Sequence, residues 1–303
     1  MPSPEFLVTY INQKLFYAPA LDGIDVCSSR PPGIAAMVES VVKKHNITEN
    51  FKLLIRVADA PWEKPEGGSA PDRALSEAVP KTAYSFCVYN EMYHKAFPDF
   101  IYVGMTEAGM KDYTETVNSF IDTVPETNKV GWCGGPQGAH VEGAPRPAFY
   151  NMAQAHPEFF ESRWTQLDLL DWDTWKLYNT YMSYQDQINR WKYLIDMEGC
   201  GWSGRFKVLM SSPRIVFMVD RPYQEWYFGH LVPWKHFVPV KRDLSDLIEN
   251  YHKIESDVEL QEYIKSNQRI FAKTYLTRDA AEQRIYEIIQ EMIQYYKEHP
   301  NEF

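Results

Sequence analysis

Residues 192–241 read KYLIDMEGCGWSGRFKVLMSSPRIVFMVDRPYQEWYFGHLVPWKHFVPVK, and the order of patterns in this stretch decides the fold. Three apolar runs in it predict β-strands. A glycine-rich turn and a short basic helix separate the first two runs. An aromatic run, residues 223–228, separates the second from the third and is predicted to be helical. Strands that alternate with helices form βαβαβ units around a parallel sheet, so we predict an α/β fold.

The turn after the first strand has the spacing of a phosphate-binding loop. Gly199, Gly201 and Gly204 form the pattern G-x-G-x-x-G, with Trp202 and Ser203 before the last glycine. Glycines let the backbone approach a phosphate closely, and the amides that open the next helix offer N–H groups to it. The turn therefore predicts a site for a phosphorylated ligand, with a plain tight turn as the alternative.

The same pattern also fits an NAD-dependent oxidoreductase. Asp220 ends the next strand, where a dinucleotide fold places its ribose-binding acid. Two features favour another nucleotide. The helix, predicted over residues 203–211, is short for a crossover, and Arg205 at its start adds a cationic fork for a diphosphate. The alternative for Arg205 is a surface arginine that lies along its helix.

Charge is distributed unevenly along the chain. The whole protein of 303 residues carries a net charge of −10, whereas residues 190–242 contain nine Lys or Arg and only four Asp or Glu. An acidic protein with one basic segment suits a small anion better than a nucleic acid, which needs a broad basic surface. Four scattered cysteines fit neither a zinc site nor a disulfide framework. Without a long apolar run or a basic leader, we expect a cytoplasmic protein with no membrane span.

The rest of the chain continues the alternation. We predict paired strands over residues 6–18, a helix over 34–45, a buried strand over 51–59, and strands over 82–89 and 100–105. Further helices are expected over 108–122, 243–251 and 256–275. Ser256 and Glu259 would form the capping box of the last of these. A final amphipathic helix starts at Asp279, with an apolar stripe of Ile285, Ile288, Ile289, Met292, Tyr295 and Tyr296.

Three further carboxylates are candidates for chemistry. Asp59 ends a predicted parallel strand, where α/β folds build their sites, although an Asp before Ala-Pro also suits a simple turn. Asp171 and Asp173 match a D-x-D pattern that can hold a divalent metal. They also precede a helical run, and we favour N-capping for them. In the aromatic run, Glu225 could accept hydrogen bonds from a ribose, or could be an exposed acid of a first helical turn.

Together, these segments resemble glycosyltransferase family 90. The resemblance is dense over residues 191–250, and it extends upstream through RVADAP (56–61), TAYSFCVY (82–89) and a loop that contains Trp132-Cys133-Gly134 and Arg146. It implies a GT-B architecture of two Rossmann-like domains that face each other across a cleft. The domains would comprise residues 1–127, joined by a C-terminal helix (279–303) that crosses back, and residues 128–278.

The resemblance also implies an inverting, metal-independent transfer from a UDP-sugar, without a cofactor. Asp59 would be the general base, and Arg205, with the amides near Ser203 and Gly204, would neutralise the departing diphosphate. Glu225 would lie near the ribose. The residues expected to bind the donor are Gly134, Arg146, Gly201, Trp202, Ser203, Gly204, Arg205 and Glu225.

One position departs from the family pattern. Cys133 stands where the family commonly has an arginine, which leaves donor affinity and donor identity open. We expect UDP-xylose as the first choice of donor, UDP-glucose as the second, and an oligosaccharide or other glycan as the acceptor. A non-catalytic protein that binds a nucleotide sugar or a glycan is the remaining alternative.

Overall fold

A computed structural model of the protein describes residues 5–18, 30–58, 82–89, 93–105, 109–135, 144–165, 182–199 and 201–303. The strands in these ranges are β1 (Glu5–Ile11), β2 (Lys14–Ala18), β3 (Phe51–Arg56), β4 (Ala83–Ser85), β5 (Val88–Tyr89), β6 (Thr127–Gly134), β7 (Phe160–Trp164), β8 (Trp191–Asp196), β9 (Ile215–Val219), β10 (Tyr223–Gln224) and β11 (Val238–Val240). The α-helices in them are α1 (Arg30–Lys44), α2 (Tyr113–Asn118), α3 (Pro145–Ala155), α4 (Tyr184–Arg190), α5 (Phe206–Met210), α6 (Leu247–Ser256), α7 (Val258–Tyr275) and α8 (Arg278–Glu298).

The chain divides into two compact units, and each is interrupted in sequence. The first comprises Met1–Thr116, Pro222–Gly229 and Tyr275–Phe303, and the second comprises Val117–Arg221 and His230–Thr274. The chain therefore enters the second unit, returns briefly to the first at residue 222, and returns again for its last helix. The basic stretch of the sequence contributes to both units.

The first unit is built on a four-stranded sheet in the order β2-β1-β3-β4. Asn12 and Gln13 join β1 to β2, and both have positive φ angles, 52° and 60°. Two such residues make the type I′ turn that suits the twist of a hairpin. The sheet packs against helices: α8 lies on α1 and on β3. The predicted stripe of α8 is confirmed for Ile285, Ile288, Ile289, Met292 and Tyr296, which are buried, whereas Tyr295 is only partly buried.

The second unit contains a five-stranded parallel sheet in the order β11-β9-β8-β6-β7. Its core combines inward-facing side chains of the strands with side chains of α3 and α6. Large members of this cluster are Trp132, Phe149, Tyr193, Phe217 and Tyr251. Because all five strands run in the same direction, their carboxyl ends meet at one edge of the sheet, and the loops that follow them gather there.

Several local predictions are wrong. The aromatic run is not a helix: Tyr223–Gln224 forms β10, which pairs with β5, and a 3₁₀ turn follows at Phe228–His230. Phe100–Tyr102, expected in a strand, forms another 3₁₀ turn. Ser256 does not cap α7, because its hydroxyl donates to the carbonyl of His252 at the end of α6.

Candidate functional site

The turn between β8 and α5 is tied to the end of β8 by a side-chain hydrogen bond. The hydroxyl of Ser203 donates to Oδ1 of Asp196 at 2.6 Å, and Ser203 is 3 % exposed. The helix that follows, α5, has only five residues and begins at Phe206. Its predicted start at residue 203 is therefore three residues too early. Trp202 is also buried, with the ammonium of Lys207 4.9 Å from the centre of its ring.

Arg205 lies between this turn and the end of β6. Its Nη1 donates to the carbonyl of Cys133 at 2.6 Å, and its guanidinium carbon is 5.5 Å from the centre of the Trp132 ring. No described carboxylate lies within 4.0 Å of Arg205. A guanidinium held by a carbonyl and an aromatic face keeps its full positive charge for an anion.

Arg146 approaches the same tryptophan from the first turn of α3. It is 8 % exposed, and its guanidinium carbon lies 5.4 Å from the centre of the Trp132 ring. Its Nη1 donates to the carbonyl of Gly135 at 2.9 Å, and its Nη2 donates to that of Met197 at 3.4 Å. Arg146 therefore bridges the ends of two neighbouring strands, β6 and β8, beside Arg205.

Two glycines make room for these arginines. A Cβ atom on Gly134 would lie 2.7 Å from Cζ2 of Trp132 and 2.9 Å from Nη2 of Arg205. A Cβ atom on Gly199 would lie 3.3 Å from Nη2 of Arg146. The sequence suggested that the glycines admit a phosphate. The atoms that a side chain would meet at these two positions belong to Trp132 and to the guanidinium groups of Arg205 and Arg146, and the contact at Gly199 is the looser one.

Two buried acids at this edge were not among the predicted site residues. Asp196 forms an ion pair with Arg221, with 2.6 Å between its Oδ2 and Nη2 of Arg221. Glu198 pairs with Arg242, and burial raises the pKa of Glu198 despite the cations of Arg242 and Arg221. The sequence gives one indication of these buried acids: Asp196 and Glu198 stand at the end of an apolar run, in LIDME. Their partners are 25 and 44 residues away.

Glu225 belongs to the first unit, in the short return segment Pro222–Gly229. It is 2 % exposed and lies near Tyr102, whose pKa is raised chiefly by burial and further by Tyr113, Asp99 and Glu225. It is therefore not an exposed acid of a helical turn. Its predicted place near a ribose stays a prediction.

The remaining candidates fall outside the described residues or have no assigned chemistry. Asp59, Asp171 and Asp173 lie outside the described ranges; β3 ends at Arg56, three residues before Asp59. The thiol of Cys133 is buried, and burial raises its pKa. Within the described ranges, no group of three His, Cys, Asp or Glu side chains could hold a metal ion. None of the described helices has the length and apolar character needed to cross a lipid bilayer.

Comparison with known proteins identifies the family. Residues 31–302 match the family described as Glycosyl transferase family 90. The chain belongs to glycosyl transferase family 90. The resemblance noted in the sequence is thereby confirmed for nearly the whole length of the chain.

Curated relatives of this family 90 chain share about a third of the aligned residues. Protein O-glucosyltransferase 3 of Homo sapiens is 33 % identical over 111 residues, which cover 36 % of the chain and 21 % of the relative. Protein O-glucosyltransferase 1 of Rattus norvegicus is 33 % identical over 90 residues, 30 % of the chain and 23 % of the relative. Protein O-glucosyltransferase 2 of Danio rerio is 32 % identical over 91 residues, which cover 30 % of the chain and 18 % of the relative. The alignments thus span about a fifth of these relatives.

Proposed function

We propose that this chain is an inverting glycosyltransferase that moves a sugar from a UDP-sugar to a glycan hydroxyl, with the two domains of a GT-B fold. The observation that carries the proposal is the pair Arg205 and Arg146, both stacked near Trp132 at the carboxyl edge of a parallel sheet. Family membership supports the reaction class, and the return of α8 to the first unit suits the GT-B fold.

The arginines would act on the leaving group. As the bond between the anomeric carbon and the β-phosphate oxygen breaks, its electron pair leaves with UDP, and negative charge grows on the diphosphate. Arg205 and Arg146 would stabilise that charge in the transition state, which is the role a divalent metal takes in other transferases. We therefore propose that transfer needs no metal ion.

Asp59 would complete the chemistry from the other side of the sugar. Its carboxylate takes the proton of the acceptor hydroxyl while the oxygen forms its bond to the anomeric carbon. Attack from the face opposite UDP inverts an α-linked donor into a β-linked product. Asp59→Asn should keep the UDP affinity and lower transfer by about 10²- to 10⁴-fold. An active Asp59→Asn variant would remove Asp59 from the mechanism.

Xylose and glucose are the donor sugars we propose. The relatives are named O-glucosyltransferases, which supports glucose, whereas xylose was the expectation from the sequence. Cys133, in place of the family's arginine, leaves the diphosphate contacts to Arg205 and Arg146. We propose a cytoplasmic glycan acceptor.

Isothermal titration with UDP, UDP-xylose, UDP-glucose and NAD, each with and without EDTA, tests the proposal. We expect UDP and one UDP-sugar to bind, with no change in EDTA and no binding of NAD. Tight NAD binding without UDP binding contradicts a transferase. Loss of binding in EDTA restores a metal role for Asp171 and Asp173. Slow hydrolysis of the bound UDP-sugar without acceptor would argue against a purely binding protein.

A further inference from the structure

Asp196 and Arg221 form an ion pair that is almost completely removed from water. The side chain of Asp196 is 0 % exposed and that of Arg221 is 1 % exposed, and the closest oxygen and nitrogen are 2.6 Å apart. Removing both charges from water is costly, and apolar residues of similar volume often stabilise a fold as well or better. Fold stability alone is therefore a weak reason for this pair.

The second oxygen of Asp196 holds the glycine-rich turn. Oδ1 accepts the hydroxyl of Ser203 at 2.6 Å, seven residues further along the chain. Asp196 is the last residue of β8, and Ser203 stands two residues before Arg205. The bond therefore ties the far end of the turn to the rigid end of a central strand.

Arg221 is suited to neutralise Asp196 without moving it. It follows β9, the strand next to β8, and its guanidinium carbon lies 5.2 Å from the centre of the Phe206 ring in α5. It thus contacts both sides of the turn: the strand end before it and the helix after it. Glu198 within the turn is held in the same way by Arg242, which follows β11.

We propose that Asp196 is a positioning residue for donor binding: through Ser203 it fixes the turn that carries Arg205, while Arg221 compensates its charge. This inference rests on the proposed function, because it assigns the turn to a UDP-sugar. Asp196 itself touches no reacting atom. Its effect passes through the position of Ser203, the turn amides and Arg205.

Two double variants separate positioning from stability. Asp196→Asn with Arg221→Met removes both charges, but the amide oxygen can still accept from Ser203. Asp196→Leu with Arg221→Met removes both charges and also the acceptor. Arg214→Met is the control: Arg214 is a buried arginine at the opposite end of β9, paired with Asp122.

The readouts are UDP affinity by titration, thermal unfolding, and hydrogen–deuterium exchange of residues 198–205 without nucleotide. We expect the Asn/Met protein to bind UDP within about threefold of wild type, and the Leu/Met protein to bind at least about tenfold more weakly. The turn should exchange faster in the Leu/Met protein alone, and the Arg214→Met protein should keep wild-type UDP affinity.

Equal UDP affinity of folded Asn/Met and Leu/Met proteins, with equal exchange of the turn, overturns the role of Asp196 and leaves the proposed function intact. A wild-type chain that binds no UDP-sugar overturns the proposed function itself, and the assignment of the turn to a donor falls with it. If the Leu/Met protein does not fold, Ser203→Ala replaces it, with the same expected loss of affinity and gain in exchange.

Discussion

The two edges of the five-stranded parallel sheet use arginine in different ways. At the amino edge, Arg214 donates to Asp122 at 2.8 Å, and Arg190 donates to Glu126 at 2.7 Å and to Glu161 at 3.2 Å. At the carboxyl edge, Arg205 donates to a backbone carbonyl and lies by Trp132, with no described carboxylate within 4.0 Å.

The arginines of the amino edge are ion-paired within the fold, whereas the charge of Arg205 at the carboxyl edge is available to a bound anion. An arginine paired with an acid has little left to offer a ligand, whereas one that a carbonyl and a ring hold in place still attracts anions. Arg221 and Arg242, also at the carboxyl edge, are paired with acids and hold the turn. The carboxyl edge thus combines arginines that are ion-paired within the fold with Arg205, which has no described carboxylate within 4.0 Å.

Arg205→Ala should have the largest effect. In the proposed function Arg205 stabilises the charge of the leaving diphosphate, so we expect transfer to fall by about 10²- to 10³-fold in steady-state assays. The matched change at the amino edge is Arg190→Ala, which removes two partly exposed ion pairs. Its activity should stay within about twofold of wild type. Equal losses in the two proteins would contradict the distinction between the edges.

Arg214→Met should affect stability and not binding. Arg214 is buried and also donates to the carbonyls of Ile188 at 2.9 Å and Thr123 at 2.5 Å, which would lose their partner. We expect the free energy of unfolding to fall by about 2–3 kcal/mol in denaturant titrations. UDP affinity, measured on the folded protein, should not change. A weakened UDP affinity would mean that the amino edge contributes to the site.

Arg146→Lys should weaken UDP binding moderately. Lysine keeps the charge, but it lacks the planar fork with which Arg146 reaches the carbonyls of Gly135 and Met197 together. We expect about a tenfold rise in the dissociation constant, or about 1.4 kcal/mol. Arg163→Lys, at the end of β7, is the control and should stay within about twofold. Wild-type affinity in Arg146→Lys would rule out a fork-specific role.

Asp122 at the amino edge and Glu198 at the carboxyl edge should make the free energy of unfolding depend on pH in opposite directions. These are the smallest effects expected. Burial acts to raise the pKa of Asp122, but hydrogen bonds from Lys265 and Arg214 outweigh it, and the pKa lies below its usual value. The pKa of Glu198 is raised, chiefly by burial. Asp122 therefore adds stability that is lost as the pH falls through its folded pKa. Glu198 favours the folded state at low pH, and this contribution is lost as the pH rises above the ordinary pKa of a glutamate, about 4.3.

Denaturant titrations of Glu198→Gln and Asp122→Asn over pH 3–7 would measure these contributions. Relative to Glu198→Gln, the wild type should lose stability as the pH rises. Relative to Asp122→Asn, it should gain stability over the acid part of the range. The same sign for both acids would contradict the assigned environments.

Sequence patterns predicted the elements whose local signal agrees with their packing. The β1–β2 hairpin, β8 and the apolar stripe of α8 are of this kind, because period and burial coincide in them. The run 223–228 is different: its aromatic residues fit a helix, yet Tyr223–Gln224 pairs with β5, about 135 residues earlier in the chain. Local propensity does not register such a distant pairing.

The residues of the candidate site also differ in whether the sequence could predict them. Arg205 and the glycine-rich turn were found because the residues that define them are consecutive. The pairs Asp196–Arg221 and Glu198–Arg242 depend on which strands are neighbours, and strand order follows from tertiary packing. The approach of the Arg146 guanidinium to Gly199 is likewise a contact between distant residues that the sequence did not predict.

Hydrogen–deuterium exchange with and without UDP compares the two edges in one experiment. UDP bound at the carboxyl edge should slow exchange of the amides in residues 131–135 and 198–206, and leave residues 184–192 and 212–216, at the amino edge, unchanged. Protection confined to the amino edge, or no protection near the glycine-rich turn when UDP is bound, would contradict a diphosphate site built around Arg205, Arg146 and Trp132.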